Sequence, residues 1–379
     1  MRDRHVLHVH RPRDPQGRLR LRPPARVHRG AGVQPGSDPV GPVDGRRAQD
    51  AADPARGLPG GAHVAGVRPT LEVDLGGLRL AQPVLAASGC LGTGRDVPAL
   101  VDLRRLGGVV TRSLTLNPSK GAPAPRATET ASGLLSAIGL QNPGARAFVE
   151  EDLPRLVKAG VPVIGSVAGT TTDEYLRVVQ ELHVRPGVVA LEVNLSLPDQ
   201  ERDGDQPISA RPERVGEVVG AVARLSHVPV FAKLPALLPD PVGFAHICVR
   251  AGAHGLTLID AVPGLAVDAR SLRSRLAVPV GGLSGPAIKP IALAAVYRVA
   301  RALPDVPIMG VGGVATGDDA VEFLLAGAWA VQVGTALLVN PSAAIDVSRG
   351  ILAFLQGKQI ASPADLRGRL RVRGDGGQA

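Results

Sequence analysis

Aromatic residues are scarce in this chain, and its sequence has no long apolar run and no cluster of cysteines. Phe, Trp and Tyr together make up 2% of the 379 residues, so the core depends mainly on Ala, Val, Leu and Ile. Two cysteines, Cys90 and Cys248, provide neither a disulfide framework nor a metal-ligand cluster, which favours a reducing cytoplasm. No apolar run approaches the roughly 18 residues of a membrane span, and the N-terminus lacks the apolar region of a secretory signal.

Lysine and glutamate are missing from the first 70 residues, although arginine is abundant there. This segment holds 13 arginines against six aspartates, which accounts for +7 of the formal net charge of +9. The remainder of the chain is therefore nearly neutral. A basic chain suggests nucleic acid as a partner, but this uneven distribution argues against it.

Residues 1–69 form a separate segment that is rich in Arg, Pro and Gly and has no helical or strand period. So little apolar surface cannot offset the entropy of ordering, and we predict that this leader is disordered. It is a flexible arm, a basic tail for an acidic partner, or an upstream stretch translated from a wrongly assigned start. We favour the third interpretation, and we place the folded domain at residues 70–379.

Apolar runs alternate with helical periods through the rest of the chain. Eight continuously apolar runs are typical of a parallel barrel, whose strands are covered on both faces. We therefore predict an α/β fold, a (β/α)8 TIM barrel, in preference to a doubly wound open sheet. The predicted strands are residues 83–87, 108–111, 161–167, 188–195, 228–233, 255–259, 306–311 and 330–333. The predicted helices are residues 146–159, 172–182, 212–225, 240–251, 288–303 and 318–326.

Glycine turns follow the last two predicted strands. Gly312-Gly313 and Gly334-Thr335 leave the backbone N–H groups open to an anion, in the place where (β/α)8 barrels bind phosphate. The alternative is two tight turns without a ligand.

Polar or small residues also follow the other predicted strands. A single example is usually a helix cap or a turn, but eight examples at one end of a barrel predict a shared pocket. Lys233 closes an apolar strand, where its ammonium group needs an acceptor. That acceptor is either the N1–C2=O edge of a reduced flavin or a carboxylate inside the barrel.

Several sequence blocks resemble those of the class 1 dihydroorotate dehydrogenases over residues 71–357. The blocks are ASGCLGTG (87–94), TRSLTLNPSKGAPAPR (111–126), SGLLSAIGLQNPG (132–144), VNLSLPD (193–199), FAKL (231–234), GGLSGPAIKP (281–290), GVGG (310–313) and VQVGTALLVNP (331–341).

The resemblance implies a barrel that binds FMN and oxidises dihydroorotate to orotate in pyrimidine biosynthesis. Electrons would pass to fumarate or, through a partner subunit with FAD and an iron–sulfur cluster, to NAD, and the chain would form a homodimer. The implied FMN contacts are Ala87, Ser88, Gly89, Ser113, Asn194, Lys233, Ser284, Gly285, Gly312, Gly313, Gly334 and Thr335. The implied substrate positions are Arg112, Ser136, Asn194, Asp199 and Asp260.

The catalytic block departs from the family pattern. Leu197 stands where the family has the cysteine that removes a proton, and leucine cannot accept one. Ser136, Asp199 and Asp260 replace substrate-binding asparagines, and Arg112 replaces a lysine. Neither cysteine matches the position of the base. Three interpretations follow, namely a dihydroorotate dehydrogenase, an FMN-binding paralogue with another substrate, and a non-catalytic flavin-binding subunit.

Overall fold

The computed structural model describes residues 67–92, 101–201 and 203–371, without the side chains of residues 198, 199 and 203–205. Eight parallel strands close into a barrel in chain order, as the sequence predicts. The prediction of a disordered leader falls almost wholly outside the described residues. The strands are β1 (Val84–Ala86), β2 (Gly108–Val110), β3 (Val163–Val167), β4 (Val188–Asn194), β5 (Val230–Leu234), β6 (Gly255–Leu258), β7 (Ile308–Val311) and β8 (Ala330–Val333).

Helices connect the strands, within a few residues of the predicted bounds. The first, α1, consists of three consecutive segments, Ala145–Ala147, Phe148–Asp152 and Leu153–Lys158. The others are α2 (Thr172–Leu182), α3 (Pro212–Leu225), α4 (Pro241–Arg250), α5 (Lys289–Ala302), α6 (Gly317–Ala326), α7 (Thr335–Val339) and α8 (Ala343–Lys358). No helix in the described ranges is both long and apolar enough to cross a membrane.

Side chains alternate between the two faces of each barrel strand. In β4, Leu191 and Val193 pack outward among residues that face the helices, whereas Ala190 packs in the barrel interior. Alternation then turns Glu192 and Asn194 inward as well. Because helices cover the outer face, both faces are buried and the strand reads as a nearly continuous apolar run.

A short hairpin covers one end of the barrel interior. Val73–Asp74 pairs antiparallel with Arg79–Leu80, on either side of the turn at Gly76-Gly77. Leu75 and Leu78 lie in the turn and are buried. They join an apolar layer whose barrel members are Leu85, Val110, Ile164, Ala190, Phe231, Met309 and Ala330.

An antiparallel sheet of four strands, which the sequence did not predict, is built from two long connections. Its order is Val262–Leu265, Val280–Ser284, Gly133–Ser136, Ala127–Thr130. These connections leave β2 and β6 at their carboxyl ends, so the sheet belongs to that end of the barrel. Carboxyl ends of barrel strands are where ligands bind in this fold class.

Candidate active site

Polar side chains from four strand ends form one hydrogen-bonded chain. The Oγ atoms of Ser113 and Ser166 are 2.9 Å apart, and Nδ2 of Asn194 donates to Ser113 Oγ at 3.1 Å. Oδ1 of Asn194 accepts from the N–H of Ser196 at 3.0 Å. The hydroxyl of Ser196 in turn donates to Oδ2 of Asp260 at 2.9 Å. The chain runs from two buried serines to a half-buried carboxylate at the barrel mouth.

A second polar group lies deeper, inside the barrel. Oε2 of Glu192 accepts hydrogen bonds from Thr257 Oγ1 and Gln332 Nε2, both at 2.9 Å. Its other oxygen, Oε1, is 3.5 Å from Nζ of Lys233. Glu192 is fully buried and Lys233 is 7% exposed. A buried carboxylate thus faces a buried ammonium group, as charges inside a protein require.

The ion pair keeps Lys233 charged. Burial alone lowers the pKa of Lys233, but the Coulombic attraction of Glu192 and then of Asp260 outweighs it, so the pKa rises above its ordinary value. Lys233 is therefore a cation at neutral pH and cannot accept a proton. A fixed positive charge at this depth stabilises negative charge that develops near it.

Cys90 follows β1 and Arg112 follows β2, and both are close enough to Lys233 or to each other for their charges to interact. Burial raises the pKa of the Cys90 thiol to about 11, even though Lys233 and Arg112 attract the thiolate. Nη1 of Arg112 donates to the carbonyl oxygen of Gln141 at 2.9 Å. Its buried Nε has no hydrogen-bond partner among the described residues. Such an orphaned donor is a place where a ligand acceptor fits.

The glycine turns meet one another beyond β7 and β8. Gly313 has φ +81°, and a Cβ there would lie 2.7 Å from the Cβ of Lys289 and 3.0 Å from the carbonyl oxygen of Gly285. Gly285 itself has φ +90°. Thr335 Oγ1 donates to Ser284 Oγ at 2.8 Å. Residues with side chains cannot replace Gly285 or Gly313 without moving backbone, so the main chain forms the surface of these turns, which we call the glycine cradle.

The remaining predicted positions lie as follows. Ala87 begins the loop after β1, and its N–H donates to the carbonyl oxygen of Val333 at the end of β8 at 2.9 Å. Ser88 and Gly89 continue that loop. Gly312 (φ +125°) precedes Gly313, and Gly334 begins the turn after β8.

Among the described side chains, neither Ser136 nor Leu197 joins the hydrogen-bonded chain. Ser136 lies in the antiparallel sheet, opposite Gly282 and Ala127. Asp199 pairs through its backbone with Asp203, and its side chain is not described. Leu197 is half-buried, and its carbonyl oxygen accepts from Ile208 N at 2.8 Å.

Sequence reasoning missed two residues of this site. Glu192 precedes Asn194 by two residues on the same strand, so period-two alternation alone turns both inward. The two-residue spacing of Glu192 and Asn194 is therefore a sequence signal that identifies Glu192. Ser196 stands one position before Leu197, and its hydroxyl reaches Asp260, 64 residues later in the chain. Nothing local in the sequence signals that contact.

Comparison with known proteins is consistent with this geometry. A family model described as dihydroorotate dehydrogenase matches residues 70–355. Three relatives named "Dihydroorotate dehydrogenase B (NAD(+)), catalytic subunit" come from Geotalea daltonii, Endomicrobium trichonymphae and Alkaliphilus metalliredigens. They are 43%, 44% and 43% identical to this chain over 305, 297 and 300 residues. The alignments cover 80%, 78% and 79% of this chain and 99%, 95% and 98% of the relatives.

These matches span the whole barrel, including the strand ends that carry the polar residues and the glycine cradle. The chain belongs to the dihydroorotate dehydrogenase family.

Proposed function

We propose that this chain binds FMN at the carboxyl ends of its barrel strands and oxidises dihydroorotate to orotate. The observation that carries the proposal is the pairing of a glycine cradle with a buried, charged lysine. The cradle of Gly285 and Gly313, beside Ser284 and Thr335, fits a phosphate group. Lys233 fits the N1–C2=O edge of the flavin, where reduction adds negative charge.

We assign the other residues to contacts with the flavin ring or with the substrate. Asn194 lies opposite Lys233 in the register of β4 and β5, and its Nδ2 donates to Ser113 Oγ, so we assign Asn194 and Ser113 to the flavin ring. The orphaned Nε of Arg112 supplies a donor for an anionic substrate. When bound, the flavin accepts a hydride from the substrate carbon.

One set of residues favours a second candidate function. Leu197 replaces the proton-accepting cysteine of the family pattern, and Asp260 puts a carboxylate where the pattern has an amide. A carboxylate repels an anionic substrate. The alternative is thus an FMN enzyme of the same family that acts on a neutral or cationic substrate.

Partners follow from the relatives rather than from the site. Because the relatives are named as the catalytic subunit of an enzyme that uses NAD(+), we infer that this chain works with a second, electron-transferring subunit that carries FAD and an iron–sulfur cluster. We also place the protein in the cytoplasm, as a homodimer. Sedimentation of the purified chain, alone and with the co-expressed partner, tests both assemblies.

The test of function uses the full-length chain under anaerobic conditions. We expect a yellow protein whose visible flavin absorbance bleaches when dihydroorotate is added. A yellow protein that stays oxidised with dihydroorotate but bleaches with another reduced substrate would support the second candidate. A colourless protein that takes up no added FMN would refute both.

A further inference from the structure

Oxidation of dihydroorotate requires a proton acceptor as well as a hydride acceptor. A hydride leaves C6 and a proton leaves C5, next to a carbonyl group, and the electron pair of the C5–H bond becomes the new double bond. A carbon-bound proton of this kind needs a base within hydrogen-bonding reach. Leu197 occupies the family position of that base and has no lone pair.

Among the side chains that the structure describes around the site, the other titratable groups do not suit the task. The Cys90 thiol stays protonated because burial raises its pKa to about 11. Lys233 is already protonated, and Glu192 is fully buried against it. Among the described histidines, His254 bonds to Leu75 in the hairpin that covers the barrel interior, and His183 stacks on His227 near the end of α2.

The pair of Ser196 and Asp260 remains, and its geometry is defined at both ends. The N–H of Ser196 is bonded to Asn194, and the N–H of Ala261 donates to Oδ1 of Asp260 at 2.9 Å. The backbone N–H of Asp260 donates to the carbonyl oxygen of Leu234, so the backbone of Asp260, just after β6, is fixed against the end of β5. With its only hydrogen directed at Asp260, the Ser196 oxygen keeps its lone pairs available to accept another proton.

We propose that Ser196 and Asp260 together take the place of the missing cysteine. Ser196 Oγ accepts the proton from C5 while its own proton passes to Oδ2 of Asp260. The carboxylate becomes a carboxylic acid and later releases the proton to solvent, which it reaches because it is half-buried. This inference rests on the proposed function, since it assigns the proton half of that reaction.

A role of Asp260 as proton acceptor can be distinguished from a role in substrate binding. If Asp260 only held the substrate, its replacement would weaken ligand binding. If Asp260 is instead the base, its negative charge weakens the binding of dihydroorotate and orotate, which are themselves anions. Asp260→Asn keeps the size and the hydrogen bond from Ala261 but cannot accept the proton.

The experiment compares five full-length, FMN-loaded proteins: the native chain, Asp260→Asn, Ser196→Ala, Asp268→Asn, and Asp260→Asn combined with Leu197→Cys. Asp268 is a matched control because it accepts a hydrogen bond from Ser271 at 2.7 Å in a separate exposed hairpin, Val267–Asp268 with Arg273–Ser274. Anaerobic flavin bleaching by dihydroorotate is followed by stopped flow. Orotate binding is measured separately from the shift of the oxidised flavin spectrum.

We expect Asp260→Asn and Ser196→Ala to slow bleaching by about 10²-fold or more, because a general base usually accelerates a reaction by at least that factor. Asp268→Asn should bleach at the native rate. Orotate should bind Asp260→Asn at least as tightly as the native chain, a readout that does not depend on turnover. Adding Leu197→Cys to Asp260→Asn should restore part of the lost rate, because it returns a proton acceptor to the family position.

Bleaching of Asp260→Asn within about threefold of the native rate would overturn the proposal, because loss of a base costs far more. So would a loss of orotate affinity that matches the loss of rate. If the native chain binds FMN but dihydroorotate does not bleach it, the proposed substrate itself is wrong, and this inference falls with it. The two failures are distinguished by the native protein alone.

Discussion

The thiol of Cys90 shows how burial can outweigh nearby positive charge. Lys233 and Arg112 both favour its thiolate, yet the pKa is raised to about 11 because the charged form loses its hydration. Cys248, which is fully buried on α4, has a pKa raised to about 12 for the same first reason. Both thiols are therefore neutral at physiological pH.

The alkylation rate of Cys90 tests this balance. In a Cys248→Ser variant, we expect iodoacetamide to modify Cys90 about 10²-fold more slowly at pH 8 than it modifies a free cysteine, whose pKa is ~8.5. The rate should rise about tenfold per pH unit up to pH ~10, because the thiolate fraction does so below the pKa. Mass spectrometry across this pH range measures it, and a plateau near pH 9 would contradict the raised pKa.

Individual residues divide into those that local pattern predicts and those it does not. Lys233 was predicted to need an acceptor, and the carboxylate of Glu192 is one of the two kinds considered. The link between Ser196 and Asp260 was not predictable. It depends on how the ends of β4 and β6, which are separated by β5 in the barrel, place their side chains. The periodicity of the sequence does not carry that information.

Turns are the elements that shape the proposed phosphate site. Gly313 adopts a positive φ and packs its Cα against the start of α5 and the backbone of Gly285. A side chain at this position meets backbone, which cannot rotate away. Position 313 therefore excludes every residue that has a side chain, and this turn requires glycine.

Gly313→Ala should therefore damage both stability and cofactor binding. We expect it to lower the free energy of unfolding by about 1–3 kcal/mol, because φ is strained and the Cβ has no room. Purified protein should retain less FMN, as measured by its absorbance ratio. Gly357→Ala is the matched control, since that glycine lies in α8 with nothing near its Cβ, and alanine there should stabilise by ~0.5–1 kcal/mol. Full FMN content in Gly313→Ala would contradict the assignment of the cradle.

Barrel strands were predictable as elements, whereas the antiparallel sheet was not. Strand β3 is buried at every position, so its apolar run stands out in the sequence. Ala127–Thr130 is half exposed, and Val280–Ser284 contains two consecutive glycines. Such segments form strands only because each finds a partner from a distant connection, which a sequence window does not show.

At the scale of the whole molecule, the hairpin at residues 73–80 completes the core. Its buried Leu75 packs in a layer that draws one side chain from each of seven barrel strands. The layer above it is polar, with Glu192, Thr257 and Gln332 hydrogen-bonded together. Apolar packing at one end thus supports the polar groups that lead toward the site.

Leu75→Ala should weaken the entire barrel. Removing a fully buried leucine leaves a cavity, and we expect a loss of about 2–5 kcal/mol in the free energy of unfolding by denaturant. Leu272→Ala, at a leucine that is 86% exposed, should change stability by no more than ~0.5 kcal/mol. Equal effects of the two substitutions would show that the hairpin is not part of the cooperative core.

Use of Ser196 and Asp260 as the proposed proton acceptor would also change which kinds of chemical damage affect the site. Hydroxyl and carboxyl groups are not oxidised by peroxides, whereas a reactive thiolate passes stepwise to sulfenic and sulfinic acids. The two cysteines that the structure describes are protected by their raised pKa values. A barrel that uses the proposed pair would keep its proton acceptor under oxidative stress that inactivates a reactive thiol.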